Sequence, residues 1–146
     1  PRAGADVPAR VRPVLNRRDV AVLLTSPNGG VAKDLFRRGK KVEAKAKRNL
    51  QRDPRRIDTG HLRSDVHTEL LTVGGKPAVR VGFNAFYGVF VHDGTGVYGP
   101  KGTPITPKQA KRQSWKNKAG KRVYGLSVKG MRPNPFLKDA VIAAKD

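Results

Sequence analysis

The sequence contains no cysteine, which removes disulfide frameworks and thiolate metal sites from consideration. Acidic side chains are scarce: 11 Asp and Glu stand against 31 Lys and Arg, a formal charge of +20 on 146 residues. That scarcity argues against a magnesium-dependent nuclease, which needs clustered carboxylates to hold its metal. No apolar run approaches the roughly 18 residues of a membrane span, and no signal-peptide pattern is seen, so we expect no membrane association. A start at Pro1 fits a product made in the cytoplasm whose initiator Met has been removed. Hydrophobic residues are few, at 37%, so the core is small, although the length suffices for one.

Positive charge is abundant and unevenly placed. Residues 1–57 hold 16 basic and 5 acidic side chains, residues 58–98 hold 3 and 4, and residues 99–132 hold 10 and none. A near-neutral middle between basic flanks reads as a folded centre with cationic surfaces meant for a polyanion, nucleic acid or an acidic protein.

Residues 1–12 lack any hydrophobic period. Together with Arg17 and Arg18, the arginines at 2, 10 and 12 mark residues 1–30 as a basic arm and lead-in. It contains a short apolar run, Val20 to Leu24, closed by a Ser-Pro-Asn-Gly-Gly breaker. From there, Val31, Leu35, Val42, Ala46 and Leu50 recur at spacings of four and seven, which predicts a helix over 31–51 ended by Asp53-Pro54. Gly39 weakens it. "VHTELLTV" and "PAVRVGF" flank Gly74-Gly75-Lys76 as a β-hairpin. "FYGVFVHDG" is too short to assign to strand or helix. A second hairpin turns at about Asn117 to Lys121 within a basic insertion at about 99–132. Residues 134–142 form a terminal helix with Asn134 as cap and Pro135 in its first turn. Without βαβ alternation, the class is α+β with an antiparallel sheet, residues 31–146 forming one domain.

Two motifs imitate catalytic or cofactor chemistry. Gly94-Thr95-Gly96-Val97-Tyr98-Gly99 has the G-x-G-x-x-G spacing of a dinucleotide loop, which works by pointing a helix N-terminus at a pyrophosphate. Pro100 and Pro104 forbid that helix, and no acidic residue between 94 and 138 is present to bind a ribose. We read the glycines as a wide turn and expect no cofactor. Asp58-Thr59-Gly60 matches the aspartic-protease triplet, but that chemistry needs two such carboxylates in reach of each other. Here the triplet serves as a cap and turn between helix and sheet. His61, His67 and His92 have no ligand spacing, and no serine sits in a nucleophile-elbow context, so neither a metal nor a catalytic site is expected.

The insertion is the most distinctive block. Lys101, Lys108, Lys111, Arg112, Lys116, Lys118, Lys121 and Arg122 are candidates to face DNA, with Trp115 and Tyr124 interleaved. Cations on phosphates with aromatic stacking is how single strands are held. The plainer alternative packs both rings inward and leaves the lysines to solvent.

Four segments in order, "DTGHLRSD", "VRVGFNAFYGVFVHDGTG", "ITPKQAKRQSWKNKAGKRVYGLSV" and "RPNPFLKDA", resemble the tail-completion (neck, or minor tail) proteins of siphophages. The motifs that carry the likeness are Gly60, Leu62 and Ser64; Val81 and Gly82; Tyr87, His92, Gly94 and Thr95; and Pro133, Pro135, Phe136, Leu137 and Ala140. His92-Asp93 departs from the acidic residue commoner there. The resemblance implies an α+β subunit without enzymatic activity, assembling as a ring, often of six, between head connector and tail tube in the virion. Its partners would be copies of itself, other connector, terminator and tail-tube proteins, and packaged double-stranded DNA. On that reading Phe86, Tyr87, Phe90, His92, Asp93, Gly94, Thr95 and Gly96 are subunit-contact candidates. Pro135, Phe136 and Leu137 would pin the last helix across the sheet. The neighbouring expectations are a tail terminator of the same junction and a free basic nucleic-acid-binding protein.

Overall fold

The computed structural model describes residues 16–52 and 59–144. The N-terminal arginines at 2, 10 and 12, the Asp53-Pro54 helix stop and Asp58 lie outside the described residues. The architecture is α+β: among the described residues there are five α-helices and two separate two-stranded antiparallel sheets, rather than one sheet.

Helix α2 (Gly30–Leu50) is the element on which the rest assembles, within one residue of the span its periodicity predicts. Ala32, Gly39, Glu43, Ala46, Asn49 and Leu50 are buried along one side of it. It is preceded by α1 (Arg17–Thr25), so the run at 20–24 is helical. Asn16 supplies the missing start signal: its side chain accepts the Arg18 amide hydrogen at 3.1 Å, and the helix stops just before Pro27.

Strands β1 (His67–Val73) and β2 (Lys76–Gly82) close through Gly74 and Gly75, both at positive φ as a two-residue turn demands. The ribbon lies on α2 through Thr68, Val79 and Val81. Gly39 is the reason it can: a Cβ there would sit 2.5 Å from Val79 Cγ1 and 2.7 Å from Thr68 Cγ2. The glycine that weakens the helix in isolation is what lets the sheet approach it.

After β2, α4 (Gly88–Asp93) settles the ambiguous run as helix. Its first residue is buried against the Phe83 ring and Leu62, where any side chain would collide. Helix α3 (His61–Asp65) joins α2 to the hairpin. The terminal helix α5 (Phe136–Ile142) starts later than its sequence implies, with Pro135 at the cap position. Asn134 is not the cap, since no side chain caps this helix; its amide instead donates to the Val91 carbonyl at 2.9 Å and ties the segment to α4.

The core is compact: Ala46, Leu50, Leu62, Val66, Phe136 and Ala140, with Val42, Val81, Phe83, Ala85, Val91 and Leu137 packed around them. Phe136 is completely buried, its ring 5.6 Å from that of Phe83 and 5.4 Å from that of His92. The Pro135–Leu137 pin therefore holds α5 against α2, not across the sheet, and buried Asn49 locks it by donating to the Phe136 carbonyl at 3.1 Å. Burying such a ring contributes about 2–3 kcal/mol.

Candidate nucleic-acid interface

Strands β3 (Gln113–Lys116) and β4 (Arg122–Gly125) form a short hairpin at the outer end of the basic insertion. Its turn is specified locally. The Gly120 amide donates to the Asn117 carbonyl, Gly120 stands at φ +75, and Asn117 Oδ1 accepts the amides of Ala119 and Lys121. At its base the arm is stitched to the body by backbone bonds. Ile105 and Val128 exchange two at 2.9 Å, Thr95 donates to Met131 at 2.9 Å, and Val97 donates to Lys129 at 2.8 Å.

All eight cations named as DNA-facing (Lys101, Lys108, Lys111, Arg112, Lys116, Lys118, Lys121 and Arg122) lie on the surface of this arm. The aromatic residues separate. Trp115 opposes Val123, and its ring lies over Gly125, where a Cβ would stand 3.0 Å from it. Tyr124 opposes Ser114 on the other face, beside the Lys116–Arg122 pair, and is 62% exposed. Trp115 thus fastens the hairpin, whereas Tyr124 projects from it.

The subunit-contact candidates divide in the same way. Gly94 and Gly96 do take positive φ and do permit close approach, but the approaching backbone belongs to the same chain. A Cβ on Gly94 would lie 2.9 Å from Met131 O and Pro133 N, and one on Gly96 would strike Lys129 O. Thr95 Oγ1 accepts the Met131 amide hydrogen at 2.9 Å. These three residues seat the arm. The amides of Thr95, Val97, Tyr98 and Gly99 all donate to carbonyls of this chain, so these four are not turned outward to a ligand. His92 is half-buried on Phe136 with Asp93 2.6 Å from its Nδ1. Phe86, 82% exposed, projects with Tyr87 and Phe90 from the near-neutral 58–98 stretch, joined by Val89.

The body carries a further feature that composition hides. Val73 and Lys76 close the two-residue turn, so by alternation the amides and carbonyls of Thr68, Leu70 and Thr72 point away from β2. Among the described residues no third strand pairs with that edge. The edge of β2 is blunted by Pro77 and flanked in sequence by Lys76 and Arg80; that of β1 has neither proline nor lysine.

Glu43 is the functional-looking residue that the sequence reading missed. It is buried between α2 and β1, accepting from Lys40 at 2.8 Å, Lys47 at 2.7 Å and Thr68 Oγ1 at 2.7 Å. Burial opposes its ionisation, but the three donors outweigh it and lower the pKa to about 2. Its signal was present in sequence, with lysines at i−3 and i+4 of an acid on the apolar stripe. Asp65 acts similarly on the loop before α4. The amides of Ala85 and Asn84, both at 2.6 Å from Oδ2, hold its pKa below the usual carboxylate range. His67 donates to the Asp65 carbonyl at 2.7 Å, which raises its pKa. These are structural anchors.

A cleft of about 970 Å³ lies beside α3, lined by His61, Arg63, Asp65, Asn84, Phe86 and Tyr87 among others. Its carboxylate is already spent on backbone amides. Among the described residues no three His, Asp or Glu side chains gather as metal ligands, and no helix is long and apolar enough to cross a membrane. Comparison with protein-family models, with curated proteins and with solved structures finds no match to this chain.

Proposed function

We propose that this chain is a structural subunit of a bacteriophage head–tail junction, a tail-completion or neck protein that joins copies of itself into a ring around the DNA channel. The reading starts from the order of the four resembling segments. The observation that carries it beyond resemblance is the segregation of two surfaces. The near-neutral stretch 58–98 presents exposed Phe86, Tyr87, Val89 and Phe90 together with an open strand edge, which suits contact between like subunits. A separate arm bears ten cations and no acid over residues 99–132, which suits packaged DNA.

A charge of +20 per subunit becomes +120 in a ring of six. Self-repulsion on that scale opposes closure in dilute, low-salt solution, and screening salt, DNA or acidic neighbours relieve it. Native mass spectrometry across salt and DNA concentrations tests this: monomers at low salt should give way to one closed oligomer as either rises. Antibody labelling of purified tailed particles should mark the junction. Label on the capsid or tail tip, or no label at all, would overturn the assignment. A second reading, a free nucleic-acid-binding protein, is favoured by the exposed Tyr124 beside its cations. It predicts tight binding by a monomer and no label on particles.

A further inference from the structure

We infer that the face of the β3–β4 hairpin carrying Lys116, Arg122 and Tyr124 is a binding site for a nucleic-acid strand. The cation pair takes a phosphate, and the Tyr124 ring takes an accessible base. The inference rests on that part of the proposed function in which nucleic acid meets the arm, and is independent of ring formation.

The register is the starting point. Lys116 lies directly opposite Arg122, and the next residues inward on the same face are Ser114 and Tyr124. Asn117 donates to the Lys121 carbonyl at 2.9 Å, so the neighbouring Lys116–Arg122 pair is the non-hydrogen-bonded kind, whose side chains stand closest together. Two like charges directly opposed there destabilise a hairpin. No acid stands beside them in the sequence from Gly94 to Lys138, and Lys121 in the turn adds to the repulsion. Local choices in a folded chain normally agree with one another, and uncompensated conflicts concentrate at functional sites. An anion held between Lys116 and Arg122 removes this conflict, and a phosphate oxygen offers the geometry that Arg reads best.

Tyr124 selects among anions. It lies on this face, two residues along β4 from Arg122 and so about 7 Å away, and it is 62% exposed. The hairpin does not need it for packing, because Trp115 covers Gly125 on the opposite face. A carboxylate-rich protein would use the cations and leave the ring idle, whereas a nucleic-acid strand uses both. The opposite face carries Trp115, 41% exposed but laid over Gly125, with Val123 and Gln113; the face with a free ring beside a cation pair is this one.

Fluorescence titrations of the full chain with a labelled dT oligonucleotide, a duplex of equal length and polyglutamate, each over a range of salt, test the assignment. Tyr124→Ala should weaken dT binding about fivefold or more, leave the slope of log K against log salt unchanged, and affect the duplex less. Tyr124→Phe should restore affinity, since stacking needs only the ring. Lys116→Ala with Arg122→Ala should lower the magnitude of that slope by about 1.4 on single strands. The same double substitution should raise rather than lower the thermal midpoint without ligand, an effect that a merely structural pair would not give. Equal losses for Tyr124→Ala and Tyr124→Phe, an unchanged slope in the double variant, or polyglutamate competing as well as dT irrespective of Tyr124 would each overturn the site. Ring formation by such variants would leave the proposed function standing while the site fell.

Discussion

The body and the arm are built on opposite principles. The body is itself cationic along α2, where eight Lys and Arg face two acids, but it uses its few acids as fasteners: Glu43 clamps α2 to β1, and Asp65 holds the turn into α4. The arm has no acids, buries nothing large, and takes its shape from turn chemistry and a few backbone bonds at its base. A chain made wholly like the arm could not fold, since repulsion would add to chain entropy with no core to offset either. Segregation lets one small core support a heavily cationic surface.

The comparison can be broken most forcefully at Phe136. Phe136→Ala should cost about 3–5 kcal/mol, seen as a fall of roughly 6–20 °C in thermal midpoint. DNA affinity measured below the transition should stay within about twofold. A matching fall in affinity would mean that arm and body are not separable.

Acid sharpens the contrast next. Glu43 has a folded pKa of about 2, below its ordinary 4.5, so the stability it contributes is present above pH 4.5 and is lost as pH falls towards 2. That loss should amount to about 2–3 kcal/mol. Asp34 and Asp65, also lowered, act in the same direction. His67, raised above 6.5, acts oppositely: its contribution is full below pH 6.5 and disappears as pH rises through the folded value. Denaturant midpoints from pH 2 to 8 should flatten at the acid end in Glu43→Gln, which is less stable at neutral pH. An unaltered acid limb would show that the clamp is unimportant.

Thr72→Pro probes self-association. The Thr72 amide points away from β2, opposite Pro77, so the change removes no ladder bond and should alter monomer stability by about 1 kcal/mol or less. It should raise the oligomer dissociation constant about tenfold or more by sedimentation; wild-type assembly would show that the β1 edge is not used. The smallest effect belongs to single arm cations. Lys108→Ala should reduce the duplex salt slope by about 0.9 without moving the thermal midpoint.

Much of this was legible in the sequence, and the exceptions are informative. The α2 stripe, both hairpins and the terminal helix declared themselves through periodicity, Gly-Gly and Asn-x-x-Gly turns, and an apolar run after proline. Helix α1 did not, because its signal is the cap at Asn16 rather than an apolar stripe. Gly39 looked like a helix defect because its purpose, the approach of Val79 and Thr68, is tertiary. The candidate site was half legible. The cations were visible as composition, but which ring projects and which one clasps depends on register. The Gly94–Gly96 turn was recognised as a close-approach site, yet sequence alone could not say whose backbone approaches. The open edge of β1 is likewise a property of topology that no residue pattern announces.

The central claim is that nucleic-acid contact resides in the arm and folding in the body. Residues 106–127 can be replaced by a two-residue turn between the bridged pair Ile105 and Val128. The measurement is the slope of log K against log salt for duplex binding by this trimmed chain beside the full one. The account predicts a trimmed chain with a retained cooperative thermal transition and a slope reduced to less than half. A slope that persists undiminished would place the DNA contact on the body and contradict it.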